Sequence, residues 1–83
     1  MSLLFQVYSR PGCHLCEDMI DHLNALKEEQ AFRIEVIEIT GNSFLEEQYG
    51  LKVPVLMHDD QEICRYFLDV TKLNDYLTQN KTD

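Results

Sequence analysis

The sequence predicts an α/β fold in which a mixed four-stranded sheet is flanked by helices. Three observations lead to this prediction. The first half of the chain alternates between strand-like and helix-like hydrophobic periodicity. Two short apolar runs later in the chain flank a polar connection, as in a β-hairpin. An amphipathic stretch then closes the chain, which gives the element order β-α-β-α-β-β-α.

The first half of the chain is predicted to be a βαβ unit. Residues 3–8 ("LLFQVY") are apolar and rich in aromatic and β-branched side chains, which favours a buried strand. From Cys13 to about Gln30 the apolar residues follow helical spacing. Residues 32–39 ("FRIEVIEI") alternate between apolar and polar, as a strand with one wet face does. The crossover should be right-handed, with the two strands parallel.

The second half is predicted to contain a short helix, a hairpin and a last helix. The short helix covers residues 43–49 and is stopped by Gly50. Strands at residues 53–57 and 63–67 flank the connection "HDDQE". Asp69 is placed to cap the last helix, whose apolar face is formed by Val70, Leu73, Tyr76 and Leu77. A parallel βαβ unit followed by a hairpin and a closing helix is the arrangement of the thioredoxin fold.

Length and composition indicate one small acidic domain. We expect the domain to cover residues 1–79 and a frayed tail to cover residues 80–83. The formal net charge is −8, so nucleic acid and anionic membrane surfaces are poor partners. No segment reaches the roughly 18 apolar residues of a membrane span, and the N-terminal sequence lacks the basic region of a signal peptide. With no large apolar stripe left over, we expect a cytoplasmic monomer.

Two of the three cysteines, Cys13 and Cys16, lie in the stretch "YSRPGCHLCED". Such a pair can cycle between dithiol and disulfide, bind part of a metal site, or form a structural disulfide. The last alternative is disfavoured in the cytosol, where thiols are kept reduced. A metal site is also disfavoured, because zinc typically takes two such pairs and Cys64, His58 and His22 are predicted to lie far from this one. We therefore predict no metal site.

The predicted position of the pair favours redox chemistry. Cys13 is placed where a strand meets a helix N-terminus, which stabilises a thiolate. Cys16 lies within disulfide reach and on the apolar face of the helix, so it should be the more sheltered thiol. Arg10 could add positive charge, and His14 would do so if protonated. His14 is also a candidate substrate-binding residue, but it could equally be an ordinary solvated residue. Cys64 is expected to pack as a small apolar residue.

These residues resemble those of the glutaredoxins. "YSRPGCHLC" is similar to the glutaredoxin active-site segment, and "KVPV" is similar to the segment that carries its cis-proline. The likeness extends over nearly the whole chain and is closest to small glutaredoxin-like proteins with a C-H-L-C-E motif. It implies Cys13 as nucleophile and Cys16 as resolving thiol. It also implies a cis Pro54 that shapes a substrate groove, and pairing of Val53 with a bound peptide or glutathione.

The resemblance carries glutathione as a candidate co-substrate. Arg10 matches the basic residue that helps to hold a glutathione carboxylate in glutaredoxins. The chain departs from the family where glutaredoxins have a Gly-Gly for the γ-glutamyl end, because "RYFLDVTKL" contains no glycine and only Asp69 could contribute. Leu15 also replaces the usual tyrosine.

The sequence therefore predicts a dithiol oxidoreductase without a bound cofactor, which acts on protein or small-molecule disulfides through Cys13 and Cys16. Two alternatives stay open at this point. One is an iron–sulfur cluster carrier in which two chains share a cluster through Cys13 with the help of glutathione. The other is a non-catalytic binding module with a thioredoxin-like shape.

Overall fold

The structure is a computed structural model that describes residues 3–79; the predicted tail over residues 80–83 lies outside the described residues. The element order agrees with the prediction. The elements are β1 (Leu3–Ser9), α1 (His14–Leu26), β2 (Phe32–Glu38), α2 (Ser43–Tyr49), β3 (Val55–His58), β4 (Gln61–Arg65) and α3 (Val70–Gln79). No helix within residues 3–79 is long and apolar enough to span a membrane.

The four strands form one mixed sheet in the order β2-β1-β3-β4. β1 and β2 are parallel, as expected of a βαβ unit. β3 runs antiparallel to both β1 and β4. Val55, which begins β3, pairs with Tyr8 on one side and with Arg65 on the other. The register therefore brings the C-terminal ends of β1 and β4 and the start of β3 to the same end of the sheet.

The hydrophobic core lies on one face of the sheet, beneath α1 and α3. Phe5 and Val7 of β1 are completely buried and belong to one cluster with residues of both helices. The helices contribute Met19, Leu23, Leu73 and Tyr76 to this cluster. α2 has no buried residue. Its Tyr49 instead stacks on Tyr8, with ring centroids 4.3 Å apart. Because Tyr8 and Val7 are neighbours in a strand, they face opposite sides of the sheet, and α2 covers the second side.

The helix boundaries follow from capping groups and from where apolar contacts end. Asn42 caps α2 through its side-chain oxygen, and the Asp69 carboxylate accepts the N–H of Lys72, as predicted for the start of α3. α1 ends at Leu26 rather than near Gln30. Leu26 is its last residue packed on the core. The polar run that follows adds no apolar contact, and the chain turns there to enter β2.

Both hairpin strands are shifted relative to the prediction, and β3 is also shorter than predicted. β3 starts at Val55 because Pro54, which has no N–H, precedes the ladder. β4 ends at Arg65 because Tyr66 adopts a left-handed φ of 72°, which breaks the strand. Gly50 caps α2 with a right-handed φ of −53° instead of the left-handed conformation usual for a glycine stop.

Candidate active site

Three chain segments meet at the end of the sheet where β1 and β4 terminate. The first is the loop after β1, in which Gly12 has a φ of 71° that glycine adopts without strain. The second is the segment before β3, which contains a cis Val53–Pro54 bond, as the resemblance to glutaredoxins implied. The third begins at Tyr66, whose N–H donates to the Pro54 carbonyl at 2.8 Å.

Cys13 is the N-cap of α1. Its Sγ accepts the backbone N–H of Cys16 at 3.3 Å, and its carbonyl accepts the N–H of Glu17 at 3.1 Å. Ser, Thr, Asp and Asn are the usual residues at this position because their oxygen satisfies an N–H of the first turn. In Cys13 sulfur takes that role, so its negative form receives both a hydrogen bond and the positive end of the helix dipole. The side chain is half-buried.

Cys16 is the sheltered member of the pair, with 2 % of its surface exposed. Burial raises the pKa of this thiol to about 11, and its hydrogen bond with Cys13 acts in the same direction. The backbone N–H of Arg10 and the Arg10 charge lower the pKa, but they do not offset burial. The predicted asymmetry is present: one thiol is accessible at the helix start, and the other is held neutral inside.

Arg10 and Val53 connect the site to the end of α2 through two hydrogen bonds. The Arg10 guanidinium donates to the Gly50 carbonyl at 3.0 Å, and the Val53 N–H donates to the Tyr49 carbonyl at 3.1 Å. A Cβ at position 50 would collide with the carbonyl oxygen of Glu46. Because the Val53 N–H is used within the loop, pairing of Val53 with a ligand would fall to its carbonyl.

His14 points to solvent beside the site. Its side chain is 97 % exposed, and its Nδ1 lies 3.8 Å from a carboxylate oxygen of Glu17. A protonated His14 would therefore pair with Glu17 as well as act on Cys13, and the pairing is weak at such exposure. A binding role for His14 stays a prediction.

Cys64 lies in the core, as the sequence predicted. It is 6 % exposed and belongs to the main hydrophobic cluster, and burial raises the pKa of its thiol. Within residues 3–79, no three side chains of the metal-binding types come together.

An apolar rim beside the cysteine pair was not predicted from the sequence. Leu15, Leu51, Tyr66 and Phe67 are all exposed, and the Tyr66 hydroxyl donates to the Leu51 carbonyl at 3.3 Å. The signal was the run "RYFL" directly before the cap Asp69. Its tyrosine and phenylalanine lie within the strand predicted over residues 63–67, which hid this signal.

Comparison with known proteins agrees with this geometry. The sequence model of the glutaredoxin-like domain family (DUF836) matches residues 4–78 of this chain. The chain belongs to this glutaredoxin-like family. Among solved structures, protein Ne2328 from Nitrosomonas europaea is 44 % identical over 92 % of each chain, with a TM-score of 0.84. Protein XcR50 from X. campestris is 31 % identical, with 90 % of this chain and 96 % of that one covered and a TM-score of 0.68.

A more distant neighbour shows the fold alone. Reduced Escherichia coli glutaredoxin is 22 % identical, over 94 % of this chain and 96 % of its own, with a TM-score of 0.61. Among proteins with curated functions, none matches the chain. The fold is therefore the thioredoxin-like fold that the sequence predicted, in a glutaredoxin-like domain.

Proposed function

We propose that this glutaredoxin-like protein is a thiol–disulfide oxidoreductase that cycles Cys13 and Cys16 between dithiol and disulfide. The observation that carries the proposal is the unequal environment of the two sulfurs. Cys13 Sγ caps a helix and accepts the Cys16 N–H at 3.3 Å, while Cys16 is buried with its pKa raised to about 11. An accessible attacking thiolate and a sheltered resolving thiol are what exchange requires.

The reaction follows from the two positions. The Cys13 thiolate attacks one sulfur of a substrate disulfide, which forms a mixed disulfide and releases the other sulfur as a thiolate. Cys16 then loses its proton and attacks Cys13 Sγ, so the Cys13–Cys16 disulfide forms and the second substrate thiol leaves. Two electrons and two protons pass from the cysteine pair to the substrate. A thiol reductant such as glutathione would return the pair to the dithiol.

The raised pKa of the Cys16 thiol explains the order of the two steps. A thiol with a pKa of about 11 is almost wholly protonated at neutral pH. Cys16 therefore does not compete with Cys13 for the first attack. Once Cys13 is in a mixed disulfide it can no longer carry negative charge, which removes its repulsion of a Cys16 thiolate. The second attack becomes easier at the moment when it is needed.

The remaining assignments belong to the same proposal. Pro54 and the Val53 carbonyl would border the bound substrate, and Arg10 and His14 would lie beside it. The substrates would be protein or small-molecule disulfides in the cytoplasm, met by a monomer that carries no resident cofactor. Glutathione would enter as co-substrate, not as a permanent ligand.

A redox titration tests the proposal. Purified protein is equilibrated in glutathione buffers, quenched by alkylation and examined by intact mass, with Cys64→Ser as a control for the buried third thiol. We expect a reversible Cys13–Cys16 disulfide with a potential within roughly −220 to −320 mV, the range of cytosolic glutathione. Cys13→Ser should abolish it, whereas Cys16→Ser should accumulate a mixed disulfide. If no disulfide or adduct forms at any buffer ratio, the proposed exchange is wrong.

A further inference from the structure

A shallow groove lies between α1 and the segment that follows β4, and it begins at Leu15, the residue before Cys16. Its volume is about 150 Å³. Leu15, which stands between the two cysteines in sequence, and Met19 form one wall. Tyr66, Phe67 and Leu68 form the other. The site proposed above does not use this groove.

Large apolar side chains on both walls of the groove are exposed to solvent. Leu15 is 49 % exposed and Phe67 is 66 % exposed. Tyr66, with a φ of 72°, holds the second wall in place through its bonds to the Pro54 and Leu51 carbonyls. A non-glycine residue at such a φ is uncommon. Large apolar side chains that are exposed together are typical of a binding surface.

The size of the groove decides what it can hold. A cavity of roughly 150 Å³ accepts one benzene ring, whereas pockets for whole small molecules measure roughly 300–1,000 Å³. The groove is therefore large enough for one bulky apolar side chain but too small for a complete tripeptide such as glutathione.

The charge around the groove limits what else the occupant carries. Among the described residues, two side chains with acidic or basic groups line the groove, Asp18 and His22. Glu17 lies next to Asp18 in the first turn of α1, and the whole chain has a formal net charge of −8. An occupant with a basic side chain next to its apolar one would complement these carboxylates, and an acidic occupant would be repelled.

We propose that this groove is a specificity subsite for protein disulfides, which takes a bulky apolar side chain next to the substrate cysteine and favours a Lys or Arg beside it. The occupant is an extended segment of a partner protein. This inference rests on the proposed exchange at Cys13, since the groove acts only on which disulfides reach that sulfur.

Matched peptide disulfides test the subsite. Three short peptides carry one cysteine as a mixed disulfide with thionitrobenzoate, and their next two residues are Phe-Lys, Gly-Lys or Phe-Glu. The mixed disulfide of glutathione with thionitrobenzoate serves as the small substrate. We expect reduced protein to release thionitrobenzoate from the Phe-Lys peptide roughly tenfold faster than from the Gly-Lys peptide, because one aromatic ring is buried. The Phe-Glu peptide should also react more slowly.

Two variants with equally exposed phenylalanines localise the effect. Phe67→Ala should lower the ratio of the Phe-Lys rate to the Gly-Lys rate at least threefold. Phe44→Ala, which removes a side chain that is 67 % exposed on α2, should leave the ratio unchanged. Each ratio compares two rates on one variant, so a general change in Cys13 reactivity cancels. Asp18→Asn should reduce the difference between the Phe-Lys and Phe-Glu peptides.

The outcomes separate this inference from the proposed function. Equal rates for all three peptides on the unmodified protein would overturn the subsite and leave the exchange intact, without reliance on any variant. A glutathione substrate faster than every peptide would assign the region to glutathione instead. Concentration-dependent loss of peptide preference together with dimer formation would assign the groove to a second copy of this chain. If none of the substrates reacts, the exchange itself fails.

Discussion

The two ends of the sheet differ in how they treat large side chains. At the end that carries the hairpin turn, the Phe5 ring packs against Phe32 and Tyr76, with centroids 5.4 and 5.9 Å away. His58 Nδ1 and the Tyr76 hydroxyl are hydrogen-bonded there. At the end that carries Cys13, Leu51 and Phe67 are 94 % and 66 % exposed. The first end is packed, and the second is left open.

This difference indicates which end of the sheet stabilises the fold of this small domain. Interlocked aromatic rings at the packed end bury apolar area on folding. The open end leaves the apolar area of side chains such as Leu51 and Phe67 in water. Burial at the packed end stabilises the fold, so the open end can present a reactive sulfur and apolar surface to another molecule.

The largest expected effect separates the two ends by stability. Phe5→Ala should lower the free energy of unfolding by about 3–5 kcal/mol, because it leaves a cavity where the side chain is completely buried. Phe67→Ala, the same change at the open end, should stay within about 0.5 kcal/mol. Urea unfolding followed by circular dichroism measures both. Similar losses for the two variants would show that Phe67 is part of the core and that the ends do not differ as described.

The second expected effect separates the thiols by reactivity. A pKa raised from 9.0 to about 11 lowers the thiolate fraction of Cys16 at neutral pH by roughly a hundredfold relative to an ordinary thiol. Pulses of iodoacetamide at pH 7, read by peptide mass spectrometry, should therefore modify Cys13 first. Raising the pH from 9 towards 11 should increase the Cys16 rate, since more thiolate forms. In urea all three cysteines should react alike, and native Cys16 reacting as fast as Cys13 would contradict the asymmetry.

The smallest expected effect compares two helix caps. Asp69→Ala should cost about 1 kcal/mol, because it removes the acceptor of the Lys72 N–H at the start of α3. Asp69→Asn, which keeps an acceptor oxygen, should lose less. Cys13→Ser replaces one cap of α1 by another good cap and should change stability by no more than about 0.5 kcal/mol. A loss as large as that of Asp69→Ala would show that the Cys13 sulfur holds α1 in a way that a hydroxyl cannot.

Much of the fold was predictable because it is written in local periodicity. Residues of β1 and β2 show strand-like patterns, and α1 shows a helical one, so the βαβ unit and its parallel pairing followed. The boundaries that failed depend on distant contacts. α1 ends at Leu26 because the next residues find nothing apolar to pack on, and helical propensity alone does not report this.

The candidate site was predictable in part for the same reason. The spacing of Cys13 and Cys16 at the start of one helix already predicted one accessible thiol and one sheltered thiol, whereas the capping role of the Cys13 sulfur came from the structure. The apolar rim formed by Leu15, Leu51, Tyr66 and Phe67 was not predictable, since its members come from different segments. The left-handed φ of Tyr66 was not predictable either, because no glycine marks that position.

By itself the sequence determined the element order, the thioredoxin-like fold and the cysteine pair at a helix start, because each depends on residues close together in the chain. Only the tertiary structure decided that Tyr66 is hydrogen-bonded to the Pro54 segment and that an apolar groove opens beside Leu15. These features depend on the strand register, which brings the ends of β1 and β4 to one end of the sheet. Register is a property of the whole packed sheet.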